Sequence, residues 1–414
     1  MPFGNECAQL GQDGTITGSE DCLFLNIWTP ENFNNESNYP IYLWSYGGRF
    51  SGGAGSQLTY DGSGLAAKGV VVGTYNYRLG VLGGLAHPEL SAEAEGNSTG
   101  NWFLQDQIAC LHWTNENIQL FGGNPSQITV GGQSAGSAIA LDLVYSALAA
   151  GLLQGAIAES GARAPHDPLT GSLATSHRSK SEAEAQGVDF LATLNVSSIE
   201  EAPTLANHSQ NDVPVLTGNN LDESGASPDP CTMDLAEYNS SNKAISGPIG
   251  LEDTYFQLFP AGTESEAGTQ TNNFYRNQSL FSSWSWANAW AAGGGSSSVY
   301  TYFWTHAPPG QSAGAYHGSE LNYVFNNIPW ATTLNGRTLN WTAEDYAIQD
   351  VMSQYWYNFI ATGNPNGQNL TEWVASTNQS ATTMTLGYGY GIIPVGSNDV
   401  IEFLTEYFAQ EIAY

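Results

Sequence analysis

The stretch SQITVGGQSAGSAIALDLVYSALA (residues 126–149) governs how this 414-residue sequence is read. It runs from a β-branched apolar segment, through Gly131, Gly132 and Gly136 around Ser134, directly into a helix-forming segment. A strand that stops abruptly, a turn of small residues and an immediate helix are what a nucleophile elbow requires, and the helix amides favour negative charge beside the serine. The same pentapeptide, GQSAG, recurs in HAPPGQSAGAYHG (306–318). There Pro308 and Pro309 precede it, AYHGSE follows it, and neither a strand nor a helix flanks it. Ser134 is therefore expected to be a nucleophile and Ser312 a loop serine. The bland alternative for Ser134 is a tight strand-to-helix turn without chemistry, which only its partners can exclude.

A serine nucleophile needs a general base, a carboxylate that orients the base, and donors for an oxyanion. In elbow-type hydrolases the chain order is serine, acid, histidine. Histidines after Ser134 stand at 166, 177, 208, 306 and 317, and His317 follows a predicted strand in GAYHGSEL. VPVLTGNNLDESG (213–225) places Asp222 and Glu223 just past a strand end, where α/β sheets carry their site residues. WSYGGRF (44–50) supplies consecutive glycines at an earlier strand end, where backbone N–H groups can converge. Each feature alone is weak, since a loop histidine or a DE pair is commonly solvated surface. In this order, each at a strand end, they constrain one another.

Around these points the chain alternates apolar strands with helical patterns. IYLWSYGG (41–48), GVVVGTYNYR (69–78), LLQGAIAES (152–160) and SSVYTYFWTH (297–306) have buried-strand composition. NWFLQDQIACLHWTNENIQLFGG (101–123) sets Leu104, Ile108, Leu111 and Ile118 on one helical face and stops at Gly122–Gly123. TAEDYAIQDVMSQYWYNFIATG (342–363) reads as a C-terminal helix, and GGGSSS (293–298) as a helix-to-strand connection. Strands separated by helices predict an α/β fold with a mostly parallel sheet covered on both faces.

Composition bounds the partners. Acidic residues number 39 against 9 basic ones, for a net charge of −30, so little is available to neutralise phosphate; nucleic acid and anionic membranes are disfavoured. The longest apolar region, SAIALDLVYSALAAGLLQGAIA (137–158), is broken by Asp142, Gly151 and Gln154, and reads as a helix followed by a strand rather than a membrane span. Sequons at Asn35, Asn97, Asn195, Asn207, Asn239, Asn277, Asn340, Asn369 and Asn378 are a mild excess that favours secretion, although MPFGNECAQLG has neither the basic start nor the apolar run of a signal peptide. Cys7 and Cys22 could close a short polar loop, which suits an oxidising compartment. Cys110, in a helical pattern, and Cys231, in a Pro-rich loop, are expected to be free thiols.

The sequence resembles the type-B carboxylesterase/lipase family, the cholinesterase-like branch of the α/β-hydrolases, and its fungal members most. The likeness is carried by SEDCLFLNIWTP (19–30), YGGRF (46–50), NYRLGVLGG (76–84), residues 100–137, GNNLDES (218–224), HGSELNYVF (317–325) and YWYNFIATGNPN (355–366). It implies one α/β-hydrolase domain across residues 1–414, lacking the family's first strands. The family's catalytic serine, glutamate and histidine fall on Ser134, Glu223 and His317. Its oxyanion donors fall on the amides of Gly48, Arg49 and Ala135, its N-terminal disulfide on Cys7 and Cys22, and a structural salt bridge on Arg78 and Asp106. The implied activity is serine carboxylic-ester hydrolysis through an acyl-enzyme, with no metal or organic cofactor. A catalytically silent adhesion domain of the same family is the competing expectation, but such members typically lose a triad residue.

The chain departs from the family pattern in four places. Arg49 replaces a third glycine in the oxyanion loop, and Ser224 replaces the glycine after the acid, a change expected to be mild. By the same likeness the family's opening strands are expected to be missing, and the junction LNVSSIEEAPTLANHSQNDVPVLTG (194–218) to be shortened. In this family the Cys7–Cys22 loop forms a lipase lid or carries a choline-binding tryptophan. Here it holds no tryptophan and is short and polar, so soluble, short-acyl or aryl esters are expected rather than acylglycerols. FSSWSWANAW (281–290) is expected to pack a helix rather than line the pocket.

Overall fold

The computed structural model describes residues 2–11, 14–93, 99–161, 180–193, 211–292, 294–328, 339–377 and 380–410. Residues 194–210 of the short junction, the candidate histidines 166, 177 and 208, and the sequons at 97, 195, 207 and 378 lie outside them. In chain order the strands are β1 (Gln9–Leu10), β2 (Ile16–Thr17), β3 (Leu25–Trp28), β4 (Tyr39–Ser45), β5 (Val71–Tyr75), β6 (Gly123–Gln133), β7 (Gly155–Glu159), β8 (Val215–Asn220), β9 (Val299–Trp304), β10 (Thr382–Leu386) and β11 (Gly391–Pro394). β1 and β2 pair with each other; the rest form one sheet in the order β11-β10-β9-β8-β7-β6-β4-β5-β3. Every neighbouring pair from β5 to β10 is parallel, and only the edge strands β3 and β11 run antiparallel.

β5, β7, β8 and β9 are continuous runs of buried residues, as expected where helices cover both faces. Ile41, Val71, Ile128, Val130, Ile157, Val215 and Leu216 are at most 1% exposed, so the sheet interior excludes water. Each such side chain contributes about 1.5–3 kcal/mol by its burial. The helix Ala343–Thr362 packs Met352, Trp356 and Phe359 against this core. Thr342 and Asp345 start it with a reciprocal capping box, and Gly363, at φ 71°, stops it.

Two parts of the architecture differ from the sequence expectation. The helix Ala343–Thr362 is not the last element: β10, β11 and the helix Asn398–Ala409 follow it. A second apolar cluster gathers Tyr238, Tyr255, Phe259, Phe274, Phe281, Phe403, Tyr407 and Phe408, from the helices Leu235–Ser246, Glu252–Leu258, Glu264–Ala292 and Asn398–Ala409 and the residues next to them. Its rings meet mostly edge-to-face, with Tyr255 and Phe274 centroids 5.2 Å apart. Trp286 and Trp290 of the FSSWSWANAW stretch are buried in the main core, and Phe281 in the aromatic cluster, so the packing expectation holds for these three.

Strand order fixes where a site can form. From β4 the chain steps outward to β5, then crosses back to lay β6 on the other side of β4, and every later parallel strand continues that way. The carboxyl ends of β4 and β6 therefore flank the topological switch point, where open α/β sheets bind ligands.

Candidate active site

Ser45 of β4 pairs in register with Gly132 of β6, so the segment leaving β4 and the turn leaving β6 emerge side by side. Ser134 has φ 57° and ψ −121°, a backbone conformation that costs about 1–3 kcal/mol for a residue with a Cβ. The surroundings hold it there. Ser134 N donates to Glu159 O at 2.9 Å, and its carbonyl accepts from Ser137 N and Ala138 N at 3.0 and 3.1 Å. Glycine is needed on both sides, because a Cβ at Gly132 would strike the backbone of Gly136, and one at Gly136 the backbone of Ser45. The elbow expected from the sequence is present, with the helix Ala135–Tyr145 starting at once.

The oxyanion-loop candidates lie beside it. A Cβ added to Gly47 would stand 3.0 Å from Ser134 Cβ, which brings this loop against the serine. Behind it, Tyr46 and Tyr77 stack 4.4 Å apart, and Tyr77 Oη donates to Tyr46 O at 2.6 Å. Ser51 N donates to Gly48 O at 3.0 Å, closing a tight turn centred on Arg49 and Phe50 at φ 55° and 58°. Positive φ at both central positions is the requirement of a type I′ turn, normally met by Asn-Gly. Among the described residues, no acceptor takes the amides of Gly48, Arg49 or Ala135.

The acid and the histidine also meet. His317 Nδ1 lies 2.5 Å from Glu223 Oε2, whose side chain is 2% exposed. Glu223 Oε1 accepts from Asn220 N at 2.8 Å, which fixes the carboxylate from its other side. Of the adjacent acids in LDES, it is Glu223 that reaches the histidine. Asp222 ties the two loops together: its N–H donates to Ala315 O, its Oδ2 accepts from Ala315 N at 2.8 Å, and its Oδ1 accepts from Arg276 at 2.7 Å. Arg276, on the long helix Glu264–Ala292, also holds Asp229 at 2.6 Å and the carbonyls of Leu221 and Ser227.

Other neighbours had no sequence signal. Gln133 Nε2 is 2.9 Å from His317 Nε2, so with the proton on Nδ1 the amide donates to the lone pair of the histidine Nε2. Glu159 and Glu320 are both fully buried. Glu159 Oε1 accepts from Trp356 Nε1 at 3.0 Å, and Glu320 Oε2 accepts from Asn220 Nδ2 at 2.5 Å. The second oxygen of each has no partner among the described residues. Burial, and next the charge of Glu320, raises Glu159. Burial pushes Glu320 up to about 7 against the Asn220 hydrogen bond, with the Glu223 charge adding to the rise.

The remaining sequence expectations fall as follows. Cys7 and Cys22 form a disulfide, while Cys110 and Cys231 are free. Arg78 grips Asp106 through several bonds, one of 2.6 Å, and its guanidinium lies 5.9 Å over the Trp102 ring, which braces the loop after β5. Ser224 has φ 58°, so the chain keeps a left-handed backbone there with a non-glycine residue, a strain of small size. Ser312 is exposed in a turn held by its neighbour: Gln311 Nε2 donates to Pro308 O at 2.6 Å, and Gln311 Oε1 accepts from Ala313 N. A cleft of about 650 Å³ lined by Trp28, Tyr39 and Lys68 lies at the start of β4 and β5, the opposite end of the sheet from Ser134.

A nine-stranded, mostly parallel sheet with an elbow at its switch point defines an α/β-hydrolase fold, and the comparisons with known proteins place the chain within it. The carboxylesterase family pattern matches residues 2–393, and the chain belongs to that family. It is 31% identical over 412 residues to the fumonisin B1 esterase of Sphingopyxis macrogoltabida, covering 90% of this chain and 73% of that protein. It is 30% identical over 408 residues to the para-nitrobenzyl esterase of Bacillus subtilis, covering 89% and 79%. A solved PNB esterase structure superposes with a TM-score of 0.68 at 26% identity, over 97% of this chain and 88% of that one. The protein is a carboxylic ester hydrolase.

Proposed function

We propose that the protein hydrolyses carboxylic esters by a serine acyl-enzyme mechanism, with Ser134 as nucleophile, His317 as general base and Glu223 as its orienting acid. The observation that carries this reading is the His317 Nδ1–Glu223 Oε2 contact of 2.5 Å, with His317 Nε2 only 2.9 Å from Gln133, the residue before the serine on its strained elbow. Glu223 holds the proton on Nδ1 and stabilises the imidazolium that forms as His317 Nε2 takes the serine proton. Nε2 has one lone pair, so Gln133 competes for it with that hydroxyl and must yield as attack begins. The amides of Gly48, Arg49 and Ala135, which no acceptor takes among the described residues, receive the oxyanion, where losing one donor costs roughly 10²–10³ in kcat. The alcohol then leaves, and a water activated by His317 frees the acid.

Soluble, short-acyl or aryl esters are the proposed substrates, since the Cys7–Cys22 loop is only a short hairpin pinned by Gln9 to Gly53 at 2.8 and 3.0 Å. Secretion is supported by this disulfide and by exposed sequon asparagines at 35, 239, 340 and 369. Among the described residues no helix is long and apolar enough to cross a membrane. The test is turnover of p-nitrophenyl acetate, hexanoate and palmitate by the protein and by Ser134→Ala. The expected result is hydrolysis that falls with chain length and vanishes in the variant. Turnover retained by Ser134→Ala refutes the mechanism, and a preference for palmitate refutes the substrate class.

A further inference from the structure

The turn that closes the oxyanion loop is built from the wrong residues for its backbone. Arg49 and Phe50 occupy the two central positions at φ 55° and 58°, where side chains with a Cβ are strained. Phe50 has a visible reason to be there: its ring packs 4.8 Å from Phe103, and its carbonyl accepts from Gly80 N at 2.7 Å. Arg49 has none in the fold. It is exposed, and no carboxylate among the described residues pairs with it, whereas Arg78 and Arg276 are both held by aspartates. In a chain of net charge −30 with acids outnumbering bases 39 to 9, an exposed guanidinium that no carboxylate among the described residues holds, on the loop that packs against the serine, is a feature to be explained. Strain retained next to a reactive group, without a structural return, points to a ligand.

We propose that Arg49 is a specificity-determining residue that recognises a carboxylate on the acyl group of the ester, so that half-esters of short dicarboxylic acids are preferred substrates. The inference rests on the hydrolase reading above and names the substrate class of that same site. With the carbonyl oxygen at the amides of the loop, the Arg49 side chain reaches a group three to five carbons along the acyl chain, roughly the 6–7 Å span of an extended arginine. Its planar fork suits a carboxylate bidentately, and it offsets locally the repulsion that the acidic surface exerts on an anion.

The test compares kcat/KM for monoethyl glutarate and ethyl valerate, which differ by a carboxylate in place of a methyl group. It uses the full chain and the variants Arg49→Gln, Arg49→Lys and Arg49→Gly. Arg49→Gln keeps the strained backbone and loses the charge, whereas Arg49→Gly loses both, so the pair separates guanidinium from backbone. The glutarate-to-valerate ratio is expected to fall at least about tenfold in Arg49→Gln and Arg49→Gly, to be partly kept in Arg49→Lys, and to weaken with added salt. A ratio unchanged within about twofold in Arg49→Gln overturns this proposal alone, provided ethyl valerate is still cleaved in a Ser134-dependent manner. Cleavage of ethyl valerate by Ser134→Ala overturns the hydrolase mechanism instead.

Discussion

The pentapeptide GQSAG occurs at 132–136 and at 310–314, and the same five side chains do different work in the two places. In the first copy the flanking strand and helix leave the serine no choice: it bridges β6 and the helix Ala135–Tyr145 at φ 57°, with Gly132 and Gly136 pressed against backbone that admits no Cβ. Gln133 is buried and reaches across to His317. In the second copy the glutamine folds back on its own loop, Ser312 and Ala313 face solvent, and Gly314 at φ 69° lies against the Asp222 carboxylate. The first copy makes the strained elbow that carries the proposed nucleophile, and the second makes a compact turn that lets Asp222 hold the histidine loop. On the proposed mechanism, reactivity is a property of the strand ends and not of the motif.

The comparison can be broken most sharply at the serines. Ser134→Ala is expected to lower kcat by roughly 10⁴–10⁶, whereas Ser312→Ala stays within about twofold, both read with p-nitrophenyl acetate. Next comes the clamp beneath the second copy. Arg276→Met strands the Asp222 carboxylate, whose side chain is only 5% exposed, so stability should fall by about 3–5 kcal/mol in urea unfolding. Activity should fall too in the variant that remains folded, because the acid and histidine loops lose a shared anchor. Little change in midpoint would show that Asp222 finds other partners.

A smaller effect is expected where both copies meet the buried acids. Glu159 accepts the Ser134 N–H through its carbonyl, and Glu320 follows the second copy on the histidine loop. Burial raises Glu320 to about 7, so the folded state holds this proton to higher pH than the unfolded chain does. Stability from this group is therefore greatest below about pH 4.3, the unfolded value, and declines as pH climbs towards about 7. Glu320→Gln should remove that decline, worth on the order of 3 kcal/mol, and flatten unfolding midpoints measured from pH 4 to 8. An unaltered pH profile in the variant would contradict the buried proton. The smallest effect is at Ser224: Ser224→Gly should stabilise by up to about 1 kcal/mol by relieving a left-handed non-glycine residue, read as a rise in midpoint.

What the sequence made legible follows from how far apart the interacting groups lie. The strands from β4 to β9 were readable because buried parallel strands are apolar runs, and the elbow because its glycines, strand and helix are contiguous. Order, strand ends and family likeness singled out Ser134, Glu223 and His317, of which the structure shows the turn at Ser134 and the Glu223–His317 contact. The helix Glu264–Ala292 was readable only at its Trp-rich end, because its other half is rich in Ser, Thr and Asn and shows no apolar stripe. Arg276 reaches Asp222 over 54 residues and Gln133 reaches His317 over 184, distances at which no local pattern reports contact. The strain at Ser224 and Arg49 did have a signal, the replacement of glycine.

The central claim, that surroundings and not the pentapeptide make the nucleophile, is tested most directly by labelling the folded protein with a fluorophosphonate and mapping the adduct by peptide mass spectrometry. One adduct per chain on the peptide containing Ser134, and none on that containing Ser312, is the predicted result. An adduct on Ser312, or no adduct on protein that unfolds cooperatively, would contradict it.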